Sequence, residues 1–267
     1  MTVKDNLRVW LVNRYEMKTI SFISLKGGVG KTSSAISIAG ILAERSYSVL
    51  VIDLDPTASS SFWLNTPSNG LELLDVLNGT RKLAGIVQIT SIPNLSVIPS
   101  GTLLSKLEVK VVNTTNITLL KELLHSISSM YEYILIDCQP GLGVLTRLSL
   151  VAADVVISPV PATAMALISI PILLNELQKL KNVLKEKLEI ALICSRYNTQ
   201  TKHSHAILEQ LRNRFGHLLL QTVIRESVRL QESLAYQQPI TLFASSSRPA
   251  VDYRSATSEI CNRFKEL

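Results

Sequence analysis

Residues 26–32, KGGVGKT, constrain the fold of this chain more than any other segment. They directly follow the apolar run 20–25, which has the composition of a buried strand. A phosphate-binding loop, G-x-x-x-x-G-K-[ST], occupies such a place between a strand and a helix, because its glycines let backbone N–H groups surround a polyphosphate. Gly30, Lys31 and Thr32 fit this pattern. The segment therefore predicts a strand, a phosphate loop and a helix in succession.

The loop departs from the ordinary form in two places. Leu25 stands where the first glycine is usual, and Lys26 adds a second cation. A glycine-rich string also suits a simple tight turn, and a loop lysine can be merely solvated, but the flanking strand and helix favour phosphate binding. The candidate nucleotide-binding residues are Lys26, Gly27, Gly28, Val29, Gly30, Lys31, Thr32 and Ser33.

Strand-like and helix-like segments alternate along the rest of the chain. This alternation predicts an α/β fold of the P-loop NTPase type, a single domain with a doubly wound, mainly parallel sheet flanked by helices. Strands are predicted near 19–25, 48–53, 95–98, 133–137, 155–160, 189–194 and 219–224. The clearest helices are predicted at 31–45, 117–130, 172–184 and 250–267. The leucine stripe of 172–184 favours core packing, although a partner seam would look similar.

Composition excludes several classes of protein. With 267 residues and 46% hydrophobic residues, the chain is long enough for one large domain with a substantial core. The most apolar region, 151–174, is interrupted by an aspartate and three prolines, and the N-terminus lacks a signal-peptide core. We therefore expect a cytoplasmic protein. The three cysteines are too scattered for a disulfide framework or a metal cluster, and His203 and His205 lie on different faces of a helix.

Positive charge is concentrated in the second half of the chain. The formal net charge is +6, and the segment 179–232 carries ten Lys/Arg against five Asp/Glu. This bias is compatible with a polyanionic partner, although solvated helix faces give similar counts.

Acidic residues end two of the predicted strands. Asp53 and Asp55 follow the second strand, and Asp137 ends the strand at 133–137. Parallel strands bring their carboxyl ends to one edge of the sheet, so we expect all three carboxylates beside the phosphate loop. A single aspartate there could instead cap a turn. Thr32 and Asp137, with Asp53 less strongly indicated, are the candidate Mg²⁺ ligands, since this ion prefers hydroxyl and carboxylate oxygens.

The candidate catalytic residues are Lys26, Lys31 and Asp55. Phosphoryl transfer depends mainly on positioning and charge neutralisation, and a cation delivered to the transition state contributes roughly 10³ to 10⁵ in rate. Lys31 and Lys26 supply candidate cations, and Asp55 is placed to orient the attacking water.

Four segments together resemble the ParA family of DNA-partition ATPases. They are the loop 26–32, the segment 52–56 (IDLDP), the strand 134–138 (ILIDC) and the segment 223–230 (VIRESVRL). The match implies a ParA-like ATPase domain over 17–267, preceded by an N-terminal extension, 1–16. Sixteen residues are too few for a helix-turn-helix module, so the likeness is to the short members of the family. The loop is shared with the wider superfamily that includes MinD and the nitrogenase iron protein.

The resemblance implies an ATP- and Mg²⁺-dependent cycle. In the family, two subunits enclose two ATP molecules, and the signature lysine, which Lys26 matches, reaches into the partner's site. Lys31 then corresponds to the phosphate-binding lysine, Thr32 to the magnesium ligand and Asp55 to the aspartate needed for hydrolysis.

The resemblance also implies partners. ATP-bound dimers of the family bind DNA without sequence preference, and a ParB-type centromere-binding protein stimulates hydrolysis. Nucleoid association of the ATP-bound form and no stable membrane association follow as expectations. The DNA-binding candidate by motif is Arg229, with further candidates Lys202, Arg196, Arg225 and Arg254.

Three departures from the family pattern leave alternatives open. Thr57 replaces the usual glutamine, Gln139 replaces a proline, and residues 225–227 replace a Pro-Arg-Asn triplet. A weakly hydrolysing, nucleotide-gated module that positions another cargo is therefore one alternative. A MinD-like ATPase at a membrane surface is the other, although the tail 260–267 has few basic residues for a membrane anchor.

Overall fold

The computed structural model describes residues 17–68, 73–105, 117–184 and 188–264. The predicted extension 1–16 lies outside these ranges, as do residues 265–267, which were predicted to end the last helix.

The strands of the described residues form one sheet of eight strands, ordered β3-β4-β2-β5-β1-β6-β7-β8. The strands are β1 (Lys18–Phe22), β2 (Val49–Leu54), β3 (Gln88–Ile89), β4 (Leu95–Ile98), β5 (Tyr133–Cys138), β6 (Val155–Pro161), β7 (Glu189–Tyr197) and β8 (Leu219–Arg225). Neighbouring strands are parallel except β3 and β4, which are antiparallel. The predicted doubly wound, mainly parallel sheet is confirmed. β3 was not predicted, because two residues, one of them the exposed Ile89, leave no hydrophobic pattern to read.

Helices cover both faces of this sheet. They are α1 (Lys31–Glu44), α2 (Ser59–Trp63), α3 (Leu73–Leu77), α4 (Leu119–His125), α5 (Val144–Ala152), α6 (Ala164–Leu184), α7 (Lys202–Phe215), α8 (Val228–Ala235), α9 (Ile240–Phe243) and α10 (Arg248–Arg263). Short 3₁₀ turns occupy Leu83–Ile86 and Thr102–Leu104. α6 begins eight residues before the predicted 172–184. The prediction began the helix after Pro171, because a proline usually interrupts a helix, whereas here Pro171 lies inside it.

The core lies in layers on the two faces of the sheet. In β2, Val49 and Val51 join the cluster under α1 and α10, whereas Leu50 and Ile52 join the cluster under α4, α5 and α6. Successive side chains of a strand point to opposite faces, so a strand covered on both sides is apolar throughout. All six residues of β2 are accordingly buried.

Close packing fixes α1 against the C-terminal half of the chain. A Cβ atom on Gly40 would lie 2.9 Å from the Cβ atom of Pro239, so the absence of a side chain there allows α1 to approach the start of α9. Tyr253 of α10 lies on the same side, and its hydroxyl is 3.2 Å from the hydroxyl of Ser34 in α1. The helix that follows the phosphate loop is thereby held on the sheet from above.

No helix among the described residues combines the length and the apolar character that crossing a bilayer would need.

Candidate nucleotide site

A cleft of about 900 Å³ opens at the carboxyl ends of the strands. Its walls come from the loop after β1, the segment after β2, and the ends of β7 and β8 with α8 behind them. Crevices at this edge are the usual ligand sites of open parallel α/β sheets. The lining residues on which the site depends are Gly27, Gly28, Gly30, Lys31, Thr32, Asp55, Trp63, Gln139, Ser195, Arg196, Arg225 and Tyr253.

The phosphate loop is folded into a turn that requires glycine. Gly28 and Gly30 have φ angles of 71° and 99°, in the left-handed region that side chains disfavour. Gly30 directly precedes the first residue of α1, so the free N–H groups of that helix open onto the cleft. A helix N-terminus carries partial positive charge and favours bound anions.

The end of β7 fastens this loop from outside. The hydroxyl of Ser195 donates a hydrogen bond of 2.7 Å to the carbonyl of Val29, and the Arg196 guanidinium donates one of 3.3 Å to the carbonyl of Gly28. These hydrogen bonds hold the two loop carbonyls and stabilise the curved form of the loop.

Lys31 lies inside the loop with its ammonium held in place. Only 6% of its surface is exposed, and its Nζ donates to the hydroxyl of Ser24 at 3.2 Å. That hydroxyl in turn donates to the carbonyl of Lys26 at 2.6 Å. Burial lowers the pKa of Lys31, and the negative charges of Asp137 and Asp55 oppose this shift. The cation is therefore positioned beside carboxylates where phosphate oxygens would be expected.

Two strand-end carboxyls lie side by side. Asp53 of β2 and Asp137 of β5 are direct neighbours in the parallel pairing of these strands, and both are fully buried. Loss of hydration raises the pKa of both groups above the usual range. The charge of Asp137 raises the pKa of Asp53 further, and the charge of Asp55 does the same for Asp137. Two carboxyls so close together repel each other when both are ionised, so they favour either a shared proton or a nearby cation.

Asp53 uses its oxygens for the backbone of the next segment. Its Oδ2 accepts hydrogen bonds from the amide and the hydroxyl of Ser61, at 2.8 and 2.7 Å, and its Oδ1 accepts one from the amide of Asp55. The metal-ligand role of Asp53 stays a prediction, since Oδ1 accepts a single hydrogen bond and keeps a second lone pair. These three bonds also fix the chain that follows β2.

Asp137 differs because one of its oxygens is left over. The hydroxyl of Ser60 donates to Oδ2 at 2.7 Å, whereas the buried Oδ1 has no hydrogen-bond partner among the described residues. The ammonium of Lys31 and the hydroxyls of Ser60 and Thr32 favour the ionised carboxylate. A buried carboxylate oxygen without a partner, with a threonine hydroxyl beside it, fits the preference of Mg²⁺ for hard oxygen ligands.

Asp55 is the carboxylate that faces the cleft itself. It lines the cavity with Lys31 and Thr32, and its Oδ1 accepts a hydrogen bond of 2.9 Å from the amide of Thr57. That bond orients the side chain and leaves it partly accessible to solvent. The structure thus brings together the three aspartates that the sequence placed at one edge.

Lys26 points away from its own cleft. It is exposed, and it lines a neighbouring cavity of about 250 Å³ with Pro161 and with Met165 and Ile170 of α6. The two lysines of the loop therefore face different parts of the protein: Lys31 is buried at the cleft, and Lys26 is exposed at the neighbouring cavity.

The predicted DNA-binding residues occupy mixed settings. Four form ion pairs: Arg229 with Glu232, Arg254 with Glu44, Arg196 with Glu226 and Arg225 with Asp252. Lys202 is exposed at the first residue of α7. Arg196 and Arg225 line the nucleotide cleft, so their contact with DNA stays a prediction that would require them to serve two ligands.

Sequence reasoning missed the segment that connects these parts. Ser60, Ser61 and Trp63 of α2 contact the strand-end carboxyls or the cleft. The run of three serines, separated by two residues from the Asp-x-Asp-Pro segment, was the available signal, since hydroxyls commonly bind buried carboxylates.

Comparison with known proteins agrees with this geometry. A family model described as an AAA domain matches residues 17–190. The chromosome-partitioning ATPase Soj of Treponema pallidum is 33% identical over 248 residues, which cover 92% of this chain and 98% of that protein. This chain belongs to the ParA family.

One further relative and one solved structure extend the match. The sporulation initiation inhibitor protein Soj of Bacillus subtilis is 31% identical over 247 residues, covering 91% of this chain and 98% of that protein. The ATP complex of a McdA variant from Cyanothece superposes with a TM-score of 0.83 over 94% of this chain and 98% of that one, at 23% identity, which shows the shared fold. The resemblance to the ParA family inferred from the sequence is confirmed.

Proposed function

We propose that this ParA-family protein is a partition ATPase that dimerises on ATP, binds DNA without sequence preference and segregates a plasmid or chromosome with a ParB-type partner. The observation that carries the proposal is the convergence of Lys31, Thr32 and Asp55 in one cleft at the phosphate loop, with the buried carboxyl of Asp137 beside them. Membership of the ParA family supports the partition role.

The loop and α1 provide the phosphate-binding groups. Backbone N–H groups around Gly30 and at the start of α1 would donate to phosphate oxygens, and the buried ammonium of Lys31 would neutralise part of their charge. Thr32 and the free Oδ1 of Asp137 would hold Mg²⁺. When bound, this ion supplies charge neutralisation at the phosphate oxygens.

Asp55 is placed to direct hydrolysis. As a cleft-lining carboxylate oriented by the Thr57 amide, it would accept a hydrogen bond from the attacking water and so point the water oxygen at the γ-phosphorus. The new bond would join that oxygen to phosphorus as the bond to the leaving ADP oxygen breaks, and a proton of the water would pass to a phosphate oxygen, so that the products are ADP and inorganic phosphate.

Dimerisation is supported by the surroundings of Lys26. Its ammonium belongs to the outside of the subunit, next to α6, where Met165, Ile168 and Ile172 are 49%, 59% and 53% exposed. These residues recur at helical spacing on one face. The apolar face of α6 could pack against a second subunit. Lys26, which does not line its own cleft, would then contact the phosphates of the ATP bound to that second subunit.

The Lys26→Ala substitution tests this arrangement. We expect ATP binding by the monomer to persist, because Lys26 does not line its own cleft, and ATP-dependent dimerisation to weaken about 30-fold or more, since an interfacial charge contact is lost. Light scattering with a non-hydrolysable ATP analogue measures the dimer. Lys202→Ala is the control, and equal dimerisation of Lys26→Ala and wild type would refute the role of Lys26 in the partner's site.

DNA binding is tested at Arg229 on α8. Its guanidinium is exposed and forms an ion pair with Glu232, in which Nη1 and Oε2 are 2.9 Å apart. We expect Arg229→Ala to weaken retention on DNA and to reduce the magnitude of the slope of log affinity against log salt by about 0.9. Glu232→Gln should strengthen retention, because it frees the same guanidinium.

Co-sedimentation with DNA at several salt concentrations, with ATP, measures these effects. Lys82→Ala, near the opposite edge strand β3, is a control that should leave retention unchanged. An Arg229→Ala protein with the affinity and salt slope of wild type would contradict the proposed DNA contact.

A parallel liposome arm tests the MinD-like alternative, which α10 does not favour: Ile260 is buried in the core, and Arg263 donates to the carbonyl of Leu218.

A further inference from the structure

The short helix α2 is bonded to both strand-end carboxyls. The hydroxyl of Ser60 donates to Asp137 Oδ2 at 2.7 Å, and the hydroxyl and amide of Ser61 donate to Asp53 Oδ2 at 2.7 and 2.8 Å. Ser60 and Ser61 are 0% and 2% exposed. One end of this helix is therefore attached to the chemical centre of the cleft through buried, charge-assisted hydrogen bonds, which are stronger than neutral ones.

The other end of α2 is bonded to the turn that follows α8. The indole N–H of Trp63 donates to the carbonyl of Gln238 at 2.8 Å, and the side-chain amide of Gln237 donates to the carbonyl of Phe62 at 3.1 Å. Trp63 is buried at 3% exposure in the same core cluster as Ile240 of α9. The turn 236–239 thus has both a donor and an acceptor engaged with α2.

Left-handed backbone lies at each end of this connection. Ala58, the residue before α2, has a φ of 55°, and Gln237 has a φ of 54°. Such conformations are unfavourable for residues with a Cβ atom and persist only where surrounding contacts enforce them. Between these two points, α2 is a single bonded turn, in which the amides of Phe62 and Leu64 bond the carbonyls of Ala58 and Ser60.

We propose that α2 couples the metal side of the nucleotide cleft to the turn 236–239 that follows α8, with Ser60 as a positioning residue for Asp137. Ser60 holds Oδ2 of Asp137 so that Oδ1 stays directed to the metal position, and any displacement of Ser60 moves α2 as a unit. Trp63 and Phe62 then carry this displacement to the turn 236–239 and to α8. This inference rests on the proposed nucleotide binding and does not depend on DNA binding.

Hydrogen exchange measured by mass spectrometry tests the coupling. For wild type, we expect Mg²⁺ and a non-hydrolysable ATP analogue to slow exchange over the turn 236–239, which does not line the cleft, by about fivefold or more, the usual lower range of coupling between sites. Gln237→Ala removes the amide donor to the carbonyl of Phe62, and it should keep the affinity for the analogue within about threefold and lose most of the slowing at 236–239. Trp63→Phe removes the indole donor to Gln238 and should lose the slowing as well; because Trp63 lines the cleft, its affinity for the analogue is measured separately, and exchange is compared at saturating analogue.

Ser60→Ala gives the test at the metal side. It should reduce the affinity for Mg²⁺ in the presence of the analogue more than the affinity for the analogue alone, a difference that a general loss of stability would not produce. Thr80→Ala is the matched control, because the hydroxyl of Thr80 donates a hydrogen bond to the carbonyl of Asp75 away from the cleft. Circular dichroism and thermal unfolding establish that each variant is folded.

Distinct outcomes separate this inference from the proposed function. Analogue binding without any change over the turn 236–239 in wild type would overturn the coupling and leave the nucleotide site intact. Full slowing in both Trp63→Phe and Gln237→Ala would do the same, since Gln237 is at the surface and its replacement does not threaten folding. Absence of nucleotide binding in wild type would overturn both.

Discussion

Replacement of Lys31 by alanine is expected to abolish tight ATP binding, with a loss of about 10²- to 10³-fold or more in affinity. Removing one partner from a buried set of charges costs about 3–5 kcal/mol, and each factor of ten in affinity corresponds to about 1.4 kcal/mol. Lys31 is nearly inaccessible to water, and its ammonium interacts with the charges of Asp137 and Asp55. Without it, phosphates entering the cleft would meet these carboxylates with little compensation.

Titration with a fluorescent ATP analogue measures this effect. Lys202→Ala, an exposed lysine on α7 outside the cleft, is the matched control and should bind as wild type does. Because the Lys31 ammonium also favours the ionised form of Asp137, the variant should further lose Mg²⁺-dependence of any residual binding. Undiminished affinity of Lys31→Ala would refute the assignment of the phosphate site.

Replacement of Asp55 by asparagine is expected to lower the hydrolysis rate by about 10²- to 10⁴-fold, the range typical of a positioned proton-accepting group. The amide oxygen of asparagine can still accept the hydrogen bond from the Thr57 amide, so the segment keeps its shape. ATP binding should persist, because Lys31 and the loop are unchanged. The variant should therefore accumulate as a long-lived ATP dimer.

Single-turnover phosphate release and dimer lifetime measure the two halves of this expectation. Asp75→Asn is the control, since Asp75 pairs with Arg81 away from the cleft. If Asp55→Asn hydrolysed ATP at the wild-type rate, the water-orienting role would have to pass to another group. A loss of binding instead of turnover would mean that Asp55 serves the ground state.

The parts of the site that follow from local chemistry could be predicted from the sequence. The order strand, glycine loop, helix fixes where Lys31 and Thr32 lie, and the carboxyl ends of parallel strands must converge. Asp53, Asp55 and Asp137 accordingly meet at one edge. These conclusions need only periodicity, glycine conformation and the direction of the strands.

The partners of individual side chains could not be predicted, because they depend on contacts between segments far apart in the chain. Asp53 and Asp137 look equivalent in sequence, yet only Asp137 keeps an oxygen without a partner, since Ser61 and the Asp55 amide occupy the other carboxylate. Arg225 likewise reads as an exposed cation until the fold places Asp252 against it, where Nε and Oδ2 are 2.9 Å apart.

The outward bonds of the phosphate loop have a kinetic consequence. Since Ser195 and Arg196 already retain the carbonyls of Val29 and Gly28, the receptor for the triphosphate is preorganised and little ordering entropy is lost on association. Weaker binding in variants beyond the loop should then appear mainly as faster release of nucleotide rather than slower capture.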